Sequence, residues 1–153
     1  MILIVVAATG GTFDIIHRGH RALLGAALSY DHTIIGLSTD GFAVRRGKAI
    51  LHGYDTRRER LVRHIRESHP GAACEVCPLD DDFGPAVLRE GVDVLVVSWE
   101  TRRAGHTLNV MRAERDLGMV DIVVVPMIYG RSGGRISTTH IRDGVMDAEG
   151  NPL

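Results

Sequence analysis

The sequence predicts an α/β fold, a five-stranded parallel sheet with helices on both faces. Three observations carry that reading. Short apolar runs rich in branched residues recur along the chain, as in parallel strands covered on both sides. Stretches with apolar residues at helical spacing lie between them. The alternation continues along all 153 residues with no linker and no internal repeat, the pattern of helices crossing back to one sheet. With 44% hydrophobic and 24% charged residues, residues 1–153 read as one domain that can bury a core without disulfide or metal support.

Ile2–Ala8 is continuously apolar and reads as a central strand. It lacks the basic start of a signal peptide and runs straight into Gly10-Gly11. Arg21–Tyr30 follows as a helix, with Leu23, Leu24, Ala27 and Leu28 on one face. Thr33–Leu37 is the second strand, and Ser38-Thr39-Asp40-Gly41 after it is a turn or helix start. Arg45–Gly53 has no periodicity and reads as loop. Asp55 or Thr56 caps a helix running to Ser68, with Leu61, Val62 and Ile65 inward, and Pro70-Gly71 ends it. Ala73–Cys77 is the third strand, Pro78–Gly84 an acidic loop and Pro85–Glu90 a short helix. Asp93–Ser98 is the fourth strand, and His106–Leu117 a helix closed by Gly118. Ile122–Val125 is the fifth strand, stopped by Pro126. A glycine-rich loop, Gly130–Gly134, leads into Ile136–Arg142. These elements make a single Rossmann-like domain.

The formal net charge of −1 and the scatter of the 18 Lys and Arg residues argue against nucleic-acid binding. No apolar run approaches the roughly 18–20 residues of a membrane span, so no membrane partner is expected and the location expected is the cytoplasm. Cys74 and Cys77 form a C-x-x-C within a strand. Residues three apart on a strand point to opposite faces, so the pair reads as structural. Asp80-Asp81-Asp82 reads as a solvated turn in preference to a metal site.

The chemistry gathers at Gly10-Gly11-Thr12-Phe13-Asp14-Ile15-Ile16-His17-Arg18-Gly19-His20. A glycine turn between strand and helix lets backbone N–H groups approach a ligand, and the helix start favours an anion. His17 and His20 share a face there, and Gly19 leaves room for a phosphate. The glycine spacing fits neither the dinucleotide fingerprint nor a P-loop. Ser137-Thr138-Thr139 reads as a second helix start with hydroxyls and free N–H groups for phosphate oxygens, and Arg142 lies one turn on. Ser98-Trp99-Glu100-Thr101 follows a strand at the sheet's carboxyl edge, where ligands of open α/β sheets bind.

Gly-Thr-Phe-Asp-x-x-His-x-Gly-His together with Ile-Ser-x-Thr-x-Ile-Arg resembles the signatures of the nucleotidyltransferase superfamily named for its H-x-G-H motif. Asp82-Phe83-Gly84-Pro85-Ala86, Val97-Ser98-Trp99-Glu100-Thr101 and Asn109-x-x-Arg112 resemble the archaeal and eukaryotic phosphopantetheine adenylyltransferases. The likeness spans nearly the whole chain. Thr138 stands where the family usually has serine, and His140 where arginine is common. Cytidylyltransferases, which use the same motif on CTP, resemble the Ile-Ser-Thr-Thr segment almost as well. A non-catalytic nucleotide-binding protein on this scaffold is a third reading.

The resemblance implies a nucleotidyltransferase that moves AMP from ATP to 4′-phosphopantetheine, with Mg²⁺ accompanying the ATP. By motif position, His20, His17 and Lys48 are the catalytic candidates. Gly11, Thr12, Phe13, His17, His20, Glu100, Ser137, Thr138, Thr139 and Arg142 are candidates for the nucleotide, with Ser137, Thr138 and Arg142 on its β- and γ-phosphates. Thr12, Lys48 and Arg57 are candidates for the second substrate. No residue is assigned to a metal.

Overall fold

Parallel strands must be joined by crossovers, and the helices that make them here cover both faces of one sheet. The computed structural model describes residues 3–126. Its strands are β1 (Val6–Gly11), β2 (His32–Ser38), β3 (Cys74–Leu79), β4 (Val94–Ser98) and β5 (Asp121–Val125). Between them lie α1 (Arg18–Ala27), α2 (Asp40–Arg45), α3 (Tyr54–Ser68), α4 (Gly84–Val87) and α5 (Arg102–Glu114). The sheet runs β3-β2-β1-β4-β5, every pair parallel. The chain winds outward from β1 to β3 and then returns to the other side of β1. That reversal opens a crevice between β1 and β4 at the carboxyl edge.

Strand alternation divides the core in two. Ala7, Ile35, Leu37, Val94 and Val96 face α1 and α3, where they meet Leu23, Leu24, Ala27, Leu61 and Ile65. Ala8, Ile34, Leu95 and Val97 face the other way, against Leu108 of α5 and Phe83 and Val87 around α4. The cysteines follow the same alternation. Cys74 packs against the first core and Cys77 against the second, both as free thiols.

Element boundaries differ from the sequence reading in ways with clear causes. The first strand begins at Val6, not Ile2, because β2 supplies partners only from Val6 onward, and Leu3 and Ile4 lie exposed. The first helix begins at Arg18, three residues earlier than expected, since its first turn is set by a polar cap and carries no apolar stripe. α5 likewise starts at Arg102, ahead of His106. α3 is capped by Gly53, without a side-chain bond from Asp55 or Thr56. Among the described residues, no helix is long and apolar enough to cross a membrane.

Candidate active site

β1 ends at Gly11, and the chain turns sharply there. Phe13 takes a left-handed φ of +49° and its ring folds back into the core, 1% exposed. A Cβ on Gly11 would stand 2.9 Å from that ring, so this glycine is required by the packing of Phe13. The next residue, Asp14, is buried and accepts hydrogen bonds from the Leu51 and His52 N–H groups at 2.8 and 3.1 Å. Its carboxylate also meets His52 Nδ1 at 3.1 Å.

His17 is the cap of α1. Its Nδ1 accepts from the N–H groups of Gly19 (3.1 Å) and His20 (3.4 Å), satisfying two of the donors that a helix start leaves open. The His20 ring lies over that of His17, centroids 3.8 Å apart and 18° from parallel, and 5.0 Å from the Phe13 ring. Gly19 is needed for the cap itself, because an added Cβ would come within 2.9 Å of His17 Cε1. The helix start is thus built as much to hold two imidazoles as to admit an anion.

His20 Nδ1 is 3.0 Å from the Ile15 carbonyl oxygen. The His17 N–H lies 3.4 Å from the same nitrogen; the Ile15 contact is met when the ring proton is on Nδ1, and the His17 contact when it is on Nε2. Desolvation by burial, then the neighbouring charge of His17, lower the His20 pKa to about 3; Lys48 adds to the shift and the Ile15 bond opposes it. At neutral pH the ring carries no charge in the protein alone.

A cavity of about 510 Å³ opens at the carboxyl edge. Its polar lining includes Thr12, Arg46, Lys48, Asp82, Glu100 and Thr101, from the loops that follow β1, α2, β3 and β4. Below the edge the lining becomes apolar: Ile34, Cys77, Leu79, Phe83, Val87 and Leu108. Ile34 and Leu95, both lining residues, belong to the core under α4 and α5, so the cavity descends along that face. Gly10 and Gly36 are register partners on its floor, where Cβ atoms would press on Leu79 at 3.3 Å.

Of the expected residues, the structure brings Gly11, Thr12, Lys48 and Glu100 to one cavity. His17 and His20 sit at the adjoining helix start, near enough for the Lys48 charge to act on His20. Two expected residues turn their side chains to the protein. Phe13 contributes its ring to the core and not to the cavity surface. Arg57 is fully buried, and its guanidinium donates to the Thr12 carbonyl (2.8 Å), the His52 carbonyl (3.0 Å) and the Asp40 carboxylate (2.7 Å). All three guanidinium nitrogens are thus engaged by protein acceptors. Ser137, Thr138, Thr139, His140 and Arg142 lie outside the described residues.

Arg46 and Asp82, which no motif assigns to the site, also line the cavity, where they pair at 3.3 Å. The density of Arg45-Arg46-x-Lys48 was the available signal. The other acidic-loop residues also have specific tasks: Asp80 accepts from the Thr39 hydroxyl, and Asp81 from the N–H groups of Phe83 and Gly84. Asn109 and Arg112 serve the scaffold. Asn109 pairs with both backbone groups of Val120, and buried Arg112 donates to the carbonyls of Gly118, Val87 and Arg89.

A cytidylyltransferase-like family model matches residues 8–144. The phosphopantetheine adenylyltransferase of Methanopyrus kandleri is 34% identical over 134 residues, covering 87% of this chain and 85% of that protein. The phosphopantetheine adenylyltransferase of Methanothermobacter thermautotrophicus is 35% identical over 147 residues, covering 95% of this chain and 88% of its own. Among solved structures, a protein of unknown function from Archaeoglobus fulgidus superposes with a TM-score of 0.72 at 28% identity. That match covers 79% of this chain and 89% of the other.

Proposed function

The chain belongs to the phosphopantetheine adenylyltransferases, within the cytidylyltransferase-like family, and from that membership we propose how its residues carry out the reaction. It transfers AMP from ATP to 4′-phosphopantetheine, giving dephospho-coenzyme A and pyrophosphate. An oxygen of the pantetheine phosphate bonds to the α-phosphorus, and the bond from that phosphorus to the bridging oxygen breaks. The nucleophile is already an anion, so no strong base is needed. The protein's work is to align two repelling anions and to meet the charge that develops between them.

Thr12 and Lys48, which share the polar lining of the cavity, hold the incoming phosphate. His20, supported by the stacked ring of His17, meets the α-phosphoryl oxygens. With its proton on Nδ1 the neutral ring would offer only a lone pair at Nε2, and donation to phosphate from that tautomer requires the imidazolium. The phosphate charge itself favours that form. Glu100, after β4, serves the ribose or base side. By motif position Ser137, Thr138 and Arg142 hold the β- and γ-phosphates, and Thr139 is a further candidate for the nucleotide. The apolar depth of the cavity, from Cys77 and Leu79 to Val87 and Leu108, takes the uncharged pantetheine arm.

ATP enters this reading as its Mg²⁺ complex. Among the described residues no His, Cys, Asp and Glu side chains converge as a metal cage. Mg²⁺ keeps several waters and is expected mainly on the nucleotide's phosphates.

The observation that carries these assignments is the place of Lys48, a cation that lines the same cavity as Thr12 and Glu100. Calorimetric titration with 4′-phosphopantetheine tests it. The unaltered protein should bind, and Lys48→Ala should weaken binding about 10–100-fold, the worth of one charge-assisted contact. Equal affinity in the two proteins would remove Lys48 from the site.

A further inference from the structure

Arg57 and Asp14 grip the Leu51–His52 stretch from both sides. Asp14 accepts the N–H groups of Leu51 and His52, while Arg57 takes the His52 carbonyl through Nε. Arg57 also holds the Thr12 carbonyl and, through its remaining nitrogen, the Asp40 carboxylate. Three segments are thereby joined: the turn after β1, the start of α2 and the loop that enters α3. At the other end of that loop, the Lys48 N–H donates to the Ala43 carbonyl at 3.0 Å. The stretch from Lys48 to Leu51 is therefore suspended between Ala43 and Asp14.

We infer that Arg57, together with Asp14, is a positioning residue that sets the distance between Thr12 and Lys48 and so determines affinity for the phosphate of 4′-phosphopantetheine. The inference rests on the roles assigned above to those two residues. Arg57 bonds directly to the residue that carries the Thr12 hydroxyl. With Asp14 it fixes the peptide four residues from Lys48. A guanidinium suits this task because its fork reaches acceptors from three chain segments at once. An ammonium, a point donor on a flexible stem, cannot hold all three in place. Burial keeps water from substituting for a lost bond.

Steady-state kinetics of Arg57→Lys test this, with Lys48→Ala and the double variant beside it. Arg57→Lys should raise KM for 4′-phosphopantetheine about tenfold and leave KM for ATP within about threefold. In the Lys48→Ala background the same change should add little, because both act on one contact. Asp40 is 53% exposed in its side chain, so Asp40→Asn is a milder variant that keeps the core intact. It should raise the same KM about threefold. A fall in kcat alone, or a parallel rise of both KM values, would identify a merely structural residue and overturn the inference. An unchanged KM in Arg57→Lys beside a raised one in Lys48→Ala would overturn it while leaving the substrate assignment standing. An unchanged KM in Lys48→Ala would contradict that assignment itself.

Discussion

His20 rests face to face on His17, 3.8 Å between ring centroids, while its Nδ1 points at the Ile15 carbonyl 3.0 Å away. Two imidazoles so close cannot both be charged cheaply, and Lys48 brings a positive charge nearby. The site is thus set in a neutral state that an anion would change. Binding of ATP is expected to be accompanied by proton uptake near pH 7. Calorimetry in two buffers of different ionisation enthalpy measures it. Zero uptake would contradict a charged His20 in the complex.

His20→Ala should reduce turnover about 10²–10³-fold, the range for removing one transition-state donor. ATP affinity should change far less, since the contact strengthens as charge develops at the α-phosphoryl group. Single-turnover kinetics and equilibrium binding separate the two. Near-normal turnover would exclude His20 from the chemistry.

The same histidine makes folding sensitive to acid. Its pKa is about 3 in the fold against 6.5 ordinarily, so between those values the unfolded chain binds more protons. The stability it contributes is complete above pH 6.5 and is lost as pH falls toward 3. His64, also lowered by burial and then by His69, acts in the same direction. Urea midpoints should therefore fall between pH 7.5 and 5.5, and His20→Ala should flatten that slope. An identical slope in the variant would contradict the assignment.

Gly19→Ala puts a methyl group 2.9 Å from His17 Cε1. The His17 ring is held by two backbone N–H groups and by its stack on His20, so it cannot simply swing aside. Turnover should fall about tenfold or more through displacement of His20, with the helical circular dichroism retained. Full activity would show that the paired rings tolerate displacement.

Trp99 is the chain's one tryptophan and is half-exposed at the end of β4, beside Glu100. Arg102 stacks on it with its guanidinium carbon 3.6 Å from the ring centre. If Glu100 serves the nucleotide, saturating ATP should shift or quench the emission of Trp99. An unchanged spectrum with ATP shown to be bound would move the nucleotide away from this edge.

The architecture was legible because buried parallel strands and amphipathic helices leave different periods in the sequence, and Ile34–Leu37 or Val94–Val97 admit little else. The polar first turns of α1 and α5 carry no such stripe, and their starts were missed for that reason. At the site, Gly11, Thr12, His17, His20, Lys48 and Glu100 could be named from their motif positions. Arg57 could be named as well, but not its direction: a basic residue in a first helical turn ordinarily faces water. Only the fold reveals the carbonyls of Thr12 and His52 waiting beneath it. Arg46 and Asp82 belong to this cavity through a pairing across 36 positions of chain, which no local pattern records.

Nucleotide and acceptor choice give the most direct measurement. Pyrophosphate release is followed with ATP or CTP, each with 4′-phosphopantetheine or a small phosphoalcohol, and the products are identified by mass. The expected result is release from ATP that depends on 4′-phosphopantetheine, with dephospho-coenzyme A formed in equal amount. Release from CTP with a phosphoalcohol, ATP being inert, would contradict it.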